Sequence, residues 1–178
     1  MTAPAASVAP AALTAPAVPI AAHTRVLMRT AMTVLTAGAF STVAFDAFGQ
    51  ALSPALGFAQ LAPVGLANAT IQAVFGSGSR PGAEALHYFA GMIAYPAGWL
   101  LVAEPLRARF APFLPWIVAA TLYGVFLWAF ALYGMAHLVA GMPPFLGFSG
   151  ITWVALVGHV LFALVAASVG KLRDPSAT

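Results

Sequence analysis

Cysteine is absent from the 178 residues, which excludes disulfides, thiolate metal sites and thiol redox chemistry. Charge is nearly absent too. Asp, Glu, Lys and Arg make up 6% of the chain, four acids against seven basic residues, where a soluble domain carries about 25%. So few charges cannot cover a water-facing surface, and an ordinary soluble globule is excluded. The chain also lacks a glycine-rich phosphate loop followed by lysine, a serine nucleophile elbow and carboxylates paired at catalytic spacing. Its histidines show no ligand spacing such as H-x-x-x-H.

What is there is oil-loving. Hydrophobic residues make up 62% of the chain and the mean hydropathy is +0.94. Membrane hydrocarbon is the solvent in which such a composition is stable. A helix needs about 20 apolar residues to cross it, and four stretches qualify: residues 27–49, 83–104, 113–140 and 149–170. Residues 110–170 carry no formal charge, enough chain for two crossings and a tight hairpin at Gly141-Met142-Pro143-Pro144. Pro96 is expected to kink the second helix. The reading is an all-α polytopic transmembrane helical bundle. One transmembrane domain covers 23–171, between a flexible Ala/Pro-rich tail at 1–22 and a short tail at 172–178. The first of these tails has no basic start and is broken by Pro4, Pro10, Pro16 and Pro19, unlike a signal peptide.

Four crossings place the N-terminus, the 104–112 loop and the C-terminus on one side. That side collects Arg25, Arg29, Arg107, Arg109, Lys171 and Arg173, and the other has only Arg80. Basic residues in short loops mark the cytoplasmic side, so both termini are expected there. The net charge of +3 is then a record of topology, and nucleic acid is not expected as a partner. Residues 51–82 are apolar but interrupted by Pro54, Pro63 and several glycines. They are expected as an outer interfacial helix around 65–75 or a re-entrant segment, since irregular backbone enters a membrane only when buried in protein.

Titratable groups inside a membrane are costly, so each is a functional candidate. They are Asp46, His87, His137 and His159, with Glu84 at the edge. Asp46 carries no nearby cation on its own helix, and its expected partner is His87 or Arg80. His159 lies about ten residues into its helix, some ~15 Å down. Several chemistries fit these residue types. Asp46, His87 and His137 can hold a divalent metal. His87 and His159 can axially ligate a haem between the second and fourth helices. Asp46 and His159 can belong to a proton path. Alternatively, each makes one interhelical hydrogen bond, the ordinary glue of membrane helices. His87 to Gly98 and His159 to Gly170 share a His, a later Ala and a final Gly at equal spacing, a weak repeat that would relate two helix hairpins by an axis along the membrane normal. Trp99, Trp116 and Trp153 are placed for interfacial belts, and glycines on all four helices permit close approach.

The Thr- and Gly-rich first helix (TVLTAGAFSTVAF), the His-opened second (ALHYFAGMIAYPAGWLL), YGVFLWAFALYG in the third and VALVGHVLFALVA in the fourth together resemble the YagU-like group of small bacterial inner-membrane proteins, over residues 27–170. The resemblance implies a four-helix bundle in the bacterial inner membrane and carries no catalytic residues to transfer. The function expected is a non-enzymatic accessory or assembly subunit, surrounded by lipid and partnered by other proteins or by further copies of itself. The alternatives are a haem- or metal-binding redox protein and a proton-linked transporter or channel.

Overall fold

The computed structural model describes residues 20–173, with side chains from Thr24 onward. Most of the expected tail at 1–22, and residues 174–178 of the other tail, lie outside the described residues. Five helices follow in order. Helix α1 covers Ile20–Asp46 and continues in π geometry over Ala47–Leu52 and on through Ser53–Ala55. Helix α2 is Pro63–Phe75. Helix α3 runs unbroken over Arg80–Phe110, α4 over Trp116–Val139 and α5 over Gly150–Arg173. There is no β-strand among the described residues.

Helices α1, α3, α4 and α5 are each long and apolar enough to cross a membrane, and their lateral surfaces expose Phe40, Val43, Ile93, Leu101, Phe126 and many similar side chains. In water such a surface would be one large sticky patch; in a bilayer it is the lipid contact. The chain is a multi-pass membrane protein. Helix α2 has 13 residues and is about 20 Å long, too short to cross a hydrocarbon core of about 30 Å.

Two helices run longer than the sequence suggests, and proline is the reason. Expected to stop at 49, α1 continues to Ala55, past Pro54; α3 continues past Pro105 to Phe110 rather than ending at 104. A proline inside a helix lacks an N–H and crowds the carbonyl four residues back. Each of Pro54, Pro96 and Pro105 comes two residues after the end of a π segment, Ala47–Leu52, Ala90–Ala94 and Trp99–Ala103, which holds the carbonyl four residues before it. Widening the turn moves that carbonyl away and lets the helix go on. At the other ends, Ser79 caps α3 by accepting from the Gly82 amide at 3.2 Å. Gly141 ends α4 in the left-handed region at φ 69°, its amide reaching the His137 carbonyl at 3.1 Å.

Helix α5 is the most buried span and packs between α1 and α4, while α3 lies against α1. The crossings rest on glycine. A Cβ on Gly38 would strike the Met92 backbone, and one on Gly124 would lie 2.6 Å from Val160 Cα and 2.8 Å from the His159 carbonyl. Removing the side chain there lets backbones touch, which is how membrane helices associate. Trp99 departs from the expected interfacial belt: it is 2% exposed and packed beside Ala120 and Ala167. The Tyr123 hydroxyl, donating to the Tyr95 carbonyl at 2.7 Å, ties α4 to α3 at that level.

One end of the bundle gathers Arg29, Arg107, Lys171 and Arg173, close enough for Arg29 to donate to the Arg173 carbonyl at 3.1 Å and for Arg107 and Lys171 to share Glu104. We call this the basic end. At the opposite end the chain after α1 folds back into the bundle. Leu61, 6% exposed, inserts beside Phe45 in the core, with its amide on the Gly49 carbonyl at 2.9 Å. Helix α2 then packs against the start of α3 and the end of α4, so the 51–82 segment supplies both a turn anchored by Leu61 and a short helix.

Candidate functional site

In the half of the bundle away from the basic end, the four spans and α2 line a half-open cavity of about 380 Å³. Its walls are apolar for the most part: Phe45, Leu66, Ala94, Leu132, Ile151 and Phe162 among others. Two of its walls are π-helical, Ala90–Ala94 on α3 and Phe130–Val139 on α4. Such widenings of a helix recur at functional sites. The cavity is bounded on the side of the α4–α5 connection by an unusual turn. Phe145, Leu146, Gly147 and Phe148 all have positive φ, between 50° and 70°. Bulky side chains resist that conformation at a cost of about 1–2 kcal/mol per residue, so the turn persists because its surroundings hold it. Phe145 packs on Trp128 at 4.7 Å between ring centres, its carbonyl accepts from Thr152 Oγ1 at 2.6 Å, and the Trp128 indole donates to the Thr152 carbonyl at 3.0 Å. Leu146, on this turn, faces the cavity.

Three of the polar groups here matter chemically. His159, 7% exposed, lines the cavity from α5 in a T-shaped contact with Phe45, ring centres 5.0 Å apart. Its Nδ1 meets the Ala155 carbonyl at 2.8 Å. A carbonyl only accepts, so Nδ1 holds a proton, and in the neutral form of the ring that leaves Nε2 as an acceptor. That Nε2 has no hydrogen-bond partner among the described residues. Thr42, 4% exposed, lines the cavity from α1, and its hydroxyl is buried with no partner. An unsatisfied buried polar group costs about 1–3 kcal/mol. His87 lines the cavity from α3, and its Nε2 donates to both oxygens of Asp46, at 3.1 and 3.2 Å. Gln50, one turn further on, donates to Asp46 Oδ1 at 2.9 Å.

Of the residues singled out in the sequence, the structure thus joins Asp46 to His87. It brings His87 and His159 to one cavity, on α3 and α5, although with different partners. His137 stands apart: its Nδ1 donates to the Met142 carbonyl at 2.7 Å and so helps close the end of α4. Arg80, the other expected partner of Asp46, pairs with Glu84 at 3.1 Å on an exposed surface. Among the described residues no three His, Asp or Glu side chains gather as metal ligands would, and no chain of hydrogen bonds links Asp46 to His159. Sequence reasoning missed Thr42, Gln50 and Leu61. Gln50 had a signal, the i,i+4 spacing to Asp46. Thr42 had only its place one turn before Phe45 and Asp46, and Leu61 had none.

No protein-family model matches the chain, and neither a curated protein nor a solved structure matches it.

Proposed function

We propose that this membrane protein binds a lipid-soluble small molecule bearing a hydroxyl group, a long-chain alcohol or a quinol, in the cavity beneath the α4–α5 turn. The observation that carries the reading is the pair of unpartnered polar groups in an otherwise apolar chamber: an acceptor, His159 Nε2, and a donor, the Thr42 hydroxyl. A hydroxyl both donates and accepts, so it is the head group whose chemistry answers both. The volume of about 380 Å³ falls in the range of ligand pockets, roughly 300–1,000 Å³, and apolar walls with a few polar groups are their usual character. The Asp46–His87 pair, with its carboxylate backing the imidazole at 3.1 Å, adds a polar corner to the same chamber. Binding of this kind requires no catalytic step. It accords with a membrane-embedded binding or accessory protein, and, for a quinol, with a redox partner elsewhere in the membrane.

The basic-residue bias supports a bacterial inner-membrane location with the basic end in the cytoplasm, in keeping with the YagU-like resemblance. The test of the binding reading is direct. The full-length protein is purified in mild detergent, and its organic extract is compared by mass spectrometry with that of His159→Phe, which fills the chamber and removes the acceptor. A hydroxylated lipid-soluble compound at near-equimolar amount in the first and depleted in the second is the expected result. Identical extracts from two equally folded proteins would overturn the proposal.

A further inference from the structure

At the basic end, and independent of the cavity above, a second cleft of about 380 Å³ opens between α1, α3 and α5. Its upper part is cationic. Arg29 from α1 and Arg173 from α5, 144 residues apart in sequence, are brought together: Arg29 Nη2 donates to the Arg173 carbonyl at 3.1 Å, and Arg173 Nε to Thr33 Oγ1 at 3.2 Å. Neither guanidinium has a carboxylate within ion-pair distance among the described residues. The one acid lining the cleft, Glu104, is held by Arg107 at 2.7 and 2.8 Å and by Lys171 at 3.4 Å. The Arg29 guanidinium rests on the Arg173 main chain and the Arg173 side chain on Thr33, so both cations line one rim, and the fork of N–H groups on each matches phosphate oxygens. Deeper in, the walls turn apolar, with Trp99, Leu100 and Leu101.

We propose that this cleft is a binding site for an anionic phospholipid of the adjoining leaflet, of the phosphatidylglycerol or cardiolipin class. The phosphate lies between Arg29 and Arg173, and an acyl chain runs along the Trp99–Leu101 wall. The charge supplies the choice of occupant. A cationic rim above an apolar wall fits a molecule with a phosphate at one end and hydrocarbon at the other, and basic pockets between transmembrane helices take such head groups. A soluble phosphate would use the rim and leave the wall unused.

The experiment is native mass spectrometry of the full-length protein in detergent, titrated in parallel with phosphatidylglycerol, with phosphatidylcholine of the same chains and with inorganic phosphate. The expected result is retention of phosphatidylglycerol at least tenfold better than phosphatidylcholine. Arg29→Gln and Arg173→Gln should each weaken it about fivefold, taking roughly 1 kcal/mol per cation, whereas Arg109→Gln, at the same end but outside the cleft, leaves it unchanged. Three results would refute the site: no preference for the anionic lipid, equal losses from Arg29→Gln and Arg109→Gln, or inorganic phosphate bound as well as the lipid. Arg29→Lys and Arg173→Lys keep the charge and guard against a folding artefact; they should retain most of the binding, and a loss equal to that of the Gln variants would count against the charge-based site.

Discussion

Adding one methyl group to the protein should stabilise it at Gly134 and destabilise it at Gly124. Both glycines lie on α4, ten residues apart. A Cβ on Gly134 would meet only the Phe130 ring, at 3.6 Å, an ordinary contact. Alanine there removes the backbone freedom of glycine in the unfolded chain and gains about 0.4–1 kcal/mol. The same Cβ on Gly124 would lie 2.6 Å from Val160 Cα and 2.9 Å from Val160 N. These are main-chain atoms of α5 and cannot rotate aside, so the helices must part by about 1 Å, an overpacking that costs about 1–3 kcal/mol. The two variants should therefore differ by roughly 1.5–4 kcal/mol in opposite directions, a gap of about 3–16 °C at 2–4 °C per kcal/mol. Thermal unfolding in one detergent, followed by circular dichroism, reads the gap. Gly124→Ala also pushes on the His159 carbonyl, so it should disturb ligand retention in the cavity while Gly134→Ala leaves it intact. Equal unfolding temperatures for the two variants would refute the close α4–α5 crossing.

Asp46→Asn and His87→Leu, measured singly and together by the same unfolding assay, should show a coupling of about 1.5–3 kcal/mol, the range for hydrogen bonds to a charged group; additive effects would mean the 3.1 Å contact contributes nothing. Thr42→Val replaces the unpartnered hydroxyl by a methyl of similar size, so the ligand-free protein should gain about 1 kcal/mol while losing affinity for hydroxylated lipids, checked by unfolding with and without extract. Thr152→Val strips the 2.6 Å hydrogen bond from the Phe145 carbonyl and should cost about 1–3 kcal/mol, with faster amide exchange in the 144–148 turn as its signature.

The spans were legible because hydrocarbon demands long apolar runs, and residues 110–170, without a charge, can be read as little else. The break at Gly141–Pro143 was legible for the same reason that it works: glycine takes the left-handed cap and proline ends the helix. For Asp46 the sequence narrowed the partner to His87 or Arg80, because a carboxylate in an apolar span needs a partner at its own depth, and the packing chose His87. Pro54 and Pro105 misled the boundaries, since letters do not show that a preceding π turn relieves the clash. The cavity itself was not legible. It arises where α2 wedges between the ends of α3 and α4, and the run from 51 to 82 gives no periodicity that fixes such a placement. Thr42 reads as one small residue in a helix rich in them, and only the packing of Gly91 and the chamber beside it shows the hydroxyl stranded.

The contact between Arg29 and Arg173 brings the first and last spans side by side where they leave the bundle. Joining them by a short flexible linker and cutting the chain in the 111–115 loop would preserve every helix and every crossing in a circularly permuted protein, because the two spans meet at that end. In such a permutant α4 would be made first and α3 last, so the bundle could be assembled in a different temporal order with the same final neighbours. Split reporter halves joined by linkers ahead of α1 and behind α5 would, for the same reason, complement one another within a single molecule.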